Sequence, residues 1–168
     1  MAYSVSYVPV GSGLGVGFQP ISSVSSEQKH PLGTIIQAYD ATYGMGEFIY
    51  LKGVASTAQG SWVTFNADDF ATALLAANAI GGVGVAMAAT VADTYGWYQI
   101  NGKSVAKVAA SFADNGALYA TATAGTADDA VVAGDRIKNA LGASAIDTPA
   151  TGFAEVELNR PWVDDVAY

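Results

Sequence analysis

The chain holds one histidine, His30, and no cysteine. A hydrolytic triad or a neutral-pH general base therefore has a single candidate, and a thiol nucleophile has none. His30 stands beside Pro31 with no Ser or Asp motif around it, which predicts a structural role. Glycines 11, 13, 15 and 17 suggest a phosphate loop, but their spacing fits neither GxGxxG nor GxxxxGKS/T, and no strand and helix flank them in the required order. Three acidic pairs, Asp68-Asp69, Asp128-Asp129 and Asp164-Asp165, offer the carboxylate oxygens that calcium favours, though not at EF-hand spacing. Adjacent side chains on a strand point to opposite faces, so each pair reads as a turn or a solvated end. Nothing selects two carboxylates as a glycosidase pair. These residues predict no catalytic group, no cofactor and no metal site, and a small hydrolase built on Asp68, Asp69 or His30 is the weakest reading.

The aromatic residues carry more information. Tyr95, Trp97 and Tyr98 fall on one short predicted strand, and alternation sets Trp97 and Tyr98 on opposite faces. One is expected to anchor the core, and the other to stand on the outer face as a contact, a role in which Tyr and Trp supply large area at modest entropic cost. Trp162, after Pro161, reads either as a lid over the end of the body or as an adhesive residue. Tyr3, Tyr7 and Phe18 punctuate a Gly- and Ser-rich start and read as anchors of an arm that finds pockets on a neighbour. The other reading of that start is a plain disordered terminus.

The elements that must position these side chains are strands. From Thr34 onward, short runs rich in β-branched and aromatic residues are broken every 8 to 12 positions by Gly, Asn and Asp. Strands are predicted over Thr34 to Ala38, Glu47 to Lys52, Ser61 to Phe65, Val83 to Thr90, Tyr95 to Ile100, Lys103 to Ala110, Ala117 to Thr123 and Phe153 to Leu158. Asn101-Gly102 predicts a two-residue type I′ hairpin turn, because both residues tolerate positive φ. Phe153 to Leu158 alternates well, with Glu155 and Glu157 opposite Ala154, Val156 and Leu158. Asp68 to Ile80 and Asp128 to Leu141 are balanced between helix and strand, with at most one short helix expected. The expectation is an all-β fold, a small β-barrel or β-sandwich, divided into an extended arm over 1–33, a β-rich body over 34–160 and a C-terminal tail over 161–168.

Composition narrows the partners. Of the 168 residues 51% are hydrophobic and 13% charged, the latter about half the usual ~25%. The 15 acidic and 7 basic residues give a net charge of −8, which repels phosphate backbones and argues against nucleic acid. No run of about 18 strongly apolar residues predicts a membrane span, and Met1 to Pro20 lacks the pattern of a signal peptide, so synthesis in the cytoplasm is expected. Ala and Gly are abundant and bury little area each, so the core must lean on its aromatic residues.

Four blocks are familiar as a set: GEFIYLKGVAST (Gly46 to Thr57), GSWVTFN (Gly60 to Asn66), GGVGVAMAATVADTYGWYQINGKSVAKV (Gly81 to Val108) and FAEVELNRPWVDD (Phe153 to Asp165). Together they resemble the capsid cement or decoration proteins encoded in tailed-bacteriophage head gene clusters, over roughly the last two-thirds of the chain. The resemblance implies a virion protein on the capsid surface, with the major capsid protein as partner and no catalytic residues. It also implies a symmetric homo-oligomer, a trimer first and a dimer second. The alternative from another class is a receptor- or glycan-binding β-module of a tail fibre or adhesin, with Trp97, Tyr98 or Trp162 stacked on sugar faces.

Overall fold

The computed structural model describes Tyr3, Ser4, residues 6–10 and residues 18–167. Among these the chain is all β, without a helix. Its strands are β1 (Val8–Val10), β2 (Ile35–Asp40), β3 (Gly44–Lys52), β4 (Trp62–Phe65), β5 (Thr72–Leu74) and β6 (Ile80–Ala86). They continue as β7 (Tyr95–Lys107), β8 (Ala117–Ala120), β9 (Ala127–Asp128), β10 (Arg136–Gly142) and β11 (Phe153–Asp164). All belong to one antiparallel sheet in the order β1-β2-β3-β7-β6-β11-β10-β8-β9, with β4 and β5 branching from β6. The sheet is not closed into a barrel.

β7 is the hinge of this arrangement. Its first half lies between β3 and β6, while its second half pairs with β11 from Lys107↔Phe153 to Asn101↔Asn159. The expected hairpin at Asn101-Gly102 is therefore absent, and the two strands predicted on either side of it are one. A type I′ turn needs positive φ at both central residues, and of the two only Gly102 has it, at 91°. The glycine serves a close approach instead: a Cβ there would stand 2.3 Å from the Met45 carbonyl oxygen. A register shift against β3 beside Asn101 bends the strand locally.

Both segments balanced between helix and strand resolve without a helix. In the first, Asn66 Oδ1 accepts the Asp68 N–H and Asp69 Oδ1 accepts the Ala71 N–H, both at 2.9 Å, forming a turn that leads into β5. In the second, β9 and β10 flank a loop. The boundary expected at 161 falls inside β11, and the described residues of the segment expected as an arm contribute β1 and a cover over the sheet.

Three buried clusters hold the sheet. The largest gathers Trp62, Val85, Phe112, Leu118, Ile137 and Val156, and the Trp62 indole donates to the Lys107 carbonyl at 2.9 Å. A second covers one face of β2, β3 and β7 with Phe48, Tyr50 and Trp97 under Phe18 and Ile21. The third covers the opposite face with Ile49, Leu51, Val63, Tyr98 and Ile100 under Phe65, Phe70 and Leu74. Trp62, Trp97, Tyr50, Tyr98 and Phe48 are the largest fully buried side chains. Each such burial stabilises by about 1.5–3 kcal/mol, but the expectation that the core leans on aromatic residues holds chiefly for the second cluster, since the largest one is built mostly of Val, Leu, Ile and Ala around Trp62 and Phe112.

Candidate functional site

The side chains with chemical potential are absorbed in the fold. His30 lies in an aromatic cage, its ring centroid 5.1 Å from Tyr50, 5.3 Å from Trp97 and 5.4 Å from Phe18. Its Nε2 accepts the Gln19 N–H at 3.2 Å, a bond only the neutral ring can accept. Burial pulls its pKa below the ordinary 6.5. The neutral form is thus favoured by folding, so stability held above pH 6.5 is lost as the pH falls below that value and the unfolded chain takes up a proton first. Urea unfolding of wild type at pH 7.5 and pH 5.5, beside His30→Gln, measures this. The wild type is expected to lose more stability than the variant on acidification, and equal losses would refute the assignment.

Gln19 is the hub of the same cluster. It is 5% exposed, yet every polar group it carries has a partner. Its Nε2 donates to the carbonyls of Ser23 at 2.8 Å and Tyr95 at 2.9 Å, and its Oε1 accepts the Tyr50 hydroxyl at 2.6 Å. Its own carbonyl accepts the Trp97 indole N–H at 2.8 Å. A fully satisfied buried amide of this kind fixes one geometry, because any displacement strands several groups away from water. It pins the segment after residue 18 to β3 and β7.

The acidic pairs have partners within the chain's own fold. Asp129 accepts the Ala113 N–H at 3.0 Å, and Asp164 takes Lys138 as its ion-pair partner. Among the described residues no group of three or more His, Cys, Asp or Glu side chains is placed to hold a metal ion. The glycines from 11 to 17 lie outside the described residues.

Of the six aromatic residues expected at an interface, the structure leaves Trp162 the most open. Tyr3 donates to the Val105 carbonyl at 2.9 Å and meets the Phe153 ring edge-on. Tyr7 donates to the Lys103 carbonyl at 3.1 Å and packs on Phe48. Burial raises both phenols well above their usual pKa. Phe18 stacks on Trp97. All three therefore grip the chain's own body. Trp97 and Tyr98 do lie on opposite faces, but both are buried, at 1% and 0% exposure, because the second and third clusters cover the two faces of that half of β7. The expectation that one of them stands outward is corrected, and with it their use in stacking on a sugar.

Trp162 is 40% exposed, and the Lys138 ammonium sits 4.3 Å from its ring centroid. Between the pairs Ala140↔Leu158 and Lys138↔Trp162, β11 carries extra residues over β10, with Arg160 at a φ of 48°. Bulges of this kind re-aim side chains. Here Arg160 reaches Glu47 on β3 at 3.1 Å, and Pro161 and Trp162 form one wall of an open apolar groove of about 250 Å3. Ile35, Ile49, Phe65, Val83 and Ile100 line most of the remainder, with Arg160 also in its wall.

That groove opens onto a bare sheet face. The register sets Val8, Tyr39 and Met45 in one row across β1, β2 and β3, and Val10, Gln37 and Glu47 in the next. These side chains share the face of Ile49 and the third cluster. The turn bearing Phe70 covers that face only at its β4 end, leaving Val8, Val10, Ile35, Tyr39 and Met45 exposed. A separate apolar tip lies at the other end of the strand order, in the loop between β9 and β10, where Val131 is 79% exposed beside Val132. Val166 is held next to this loop by a bridge to Gly134. Sequence reasoning missed both surfaces, although the alternation of Ile35, Gln37 and Tyr39 was available as a signal.

Fold and surface together define an all-β protein with exposed apolar side chains at several places, among them the bare face of β1 to β3 and the loop between β9 and β10. No family model matches the chain, and no curated protein or solved structure matches it either.

Proposed function

We propose that the chain is a non-enzymatic structural protein of a tailed-phage virion, which binds the outside of the assembled capsid at junctions between major capsid protein subunits and stabilises it. The observation that carries the reading is the separation of the two apolar surfaces. A module with one broad apolar face and one narrow apolar tip can join more than one neighbour, and simultaneous contacts raise avidity without a strong single site. Binding the assembled shell but not its free subunits shifts the equilibrium toward assembly by mass action. The resemblance of the four sequence blocks to cement proteins supports the same reading.

Purified protein is expected to bind expanded, empty heads and to raise the temperature at which they break. Replacing Val131 and Val132 by Asp is expected to weaken that binding by about tenfold or more, since a desolvated carboxylate has no partner there, while leaving the melting temperature of the free protein unchanged. Failure of the wild type to bind any head form overturns the proposal. Half-exposed Trp162 beside its groove favours a glycan- or receptor-binding module as the second reading. Binding to host cells or glycans that Trp162→Ala abolishes, with no affinity for heads, would establish it.

A further inference from the structure

We infer that the bare face of β1, β2 and β3, together with the Trp162 groove, is the surface on which a second copy of this chain docks, face to face about a two-fold axis. Val8, Val10, Ile35, Tyr39, Met45 and Trp162 each expose between 40% and 63% of their surface. They offer on the order of 500 Å2 of largely apolar area. With the intervening backbone and polar side chains this approaches the ~800 Å2 per partner of a standard interface. Two sheets can pack this way at about 10 Å separation, with the side chains of their facing surfaces interdigitating.

Charge is compatible with self-pairing at this face. The chain carries a net charge of −8, so two copies repel in most orientations. Two acidic side chains beside the groove are already paired, Glu47 with Arg160 and Asp164 with Lys138, which lowers the repulsion between copies that meet here. Shape points the same way. A two-fold interface needs projection and recess on the same surface, and this face has both, in the Tyr39-Met45 row and in the groove between Ile35 and Trp162. The adjoining sheet edge is poorly suited to strand addition, since β1 has three residues and its central one is Pro9. A partner therefore meets the face and not the edge. The inference does not depend on the virion reading.

Analytical ultracentrifugation of the full chain over a concentration series tests it. The wild type is expected to sediment as a dimer whose association tightens as ionic strength rises from about 0.05 to about 0.5 M, because salt screens the remaining like charge. Tyr39→Glu and Met45→Lys, made separately at exposed positions and checked by circular dichroism for an intact fold, are each expected to raise the dissociation constant by about thirtyfold or more. Val131→Asp, at the other end of the sheet, is expected to leave it unchanged. A wild type that stays monomeric throughout overturns the inference. So does a dimer that both face variants leave intact, as when a shell protein is the occupant of this face, and so does one that Val131→Asp dissociates.

Discussion

Gly102→Ala is expected to destabilise the protein by roughly 2–4 kcal/mol. Two penalties coincide at this position. Its φ of 91° lies where L side chains are strained, and its missing Cβ leaves room for the Met45 carbonyl, which an added carbon would approach to 2.3 Å. The obstacle is backbone on the adjacent strand β3, so relief requires moving the β3–β7 pairing itself. Gly44 provides the control. Its φ is 76° and a methyl group there would meet nothing within 4 Å, so Gly44→Ala should lose only the conformational part, about 1 kcal/mol. Urea unfolding of both variants measures the difference. Equal losses would mean that the close approach at Gly102 contributes nothing.

Gln19→Leu is expected to lose about 2–4 kcal/mol, the second large effect. The substitution keeps the volume roughly constant but leaves the Tyr50 hydroxyl without its acceptor and the Ser23 carbonyl without its side-chain donor, while the Tyr95 carbonyl keeps only the Ser25 N–H. Each stranded buried group costs about 1–3 kcal/mol, less whatever water recovers. The loss should be local before it is global. Ser25 and Tyr95 exchange backbone hydrogen bonds at 3.1 and 2.8 Å, and hydrogen exchange at those two amides should accelerate more than at Val85 in the largest cluster. Unchanged protection at Ser25 and Tyr95 would show that Gln19 does not hold the segment in place.

Where one face of a strand borders solvent, local pattern was enough. Phe153 to Leu158 places Ala154, Val156 and Leu158 inward and leaves Glu157 exposed, as its alternation predicts. The Asn-Gly signal misled for a reason that is equally physical. Asn101 pairs with Glu47 on one side and Asn159 on the other, and two neighbours arriving from more than fifty positions away in the sequence outweigh a dipeptide's turn preference. The strand β10 was obscured by its irregular pairing with both β8 and β11, which breaks the period of two on which strand recognition rests.

The candidate site divides along the same line. Tyr3, Tyr7 and Phe18 read as adhesive because they are aromatic residues in a glycine-rich stretch, and they do adhere, to the chain's own Val105, Lys103 and Trp97. Nothing in the local sequence distinguishes a partner surface from the chain's own sheet. The tip at Val131 and the row of Val8, Tyr39 and Met45 escaped notice because single exposed apolar residues are ordinary on protein surfaces. They gain meaning only when three strands set them side by side.

The amino-acid sequence by itself determined the all-β class and a low-charge composition of net acidic sign. These are sums over composition and short-range alternation, and need no knowledge of neighbours. Tertiary structure alone decided that Trp97 and Tyr98 are both buried, that His30 is an acceptor in an aromatic cage, and that one face near β1 stays bare. The period of two assigns a side chain to a face, but what covers that face is supplied by distant segments, here the stretch after Phe18 and the turn around Phe70, whose approach no local pattern encodes.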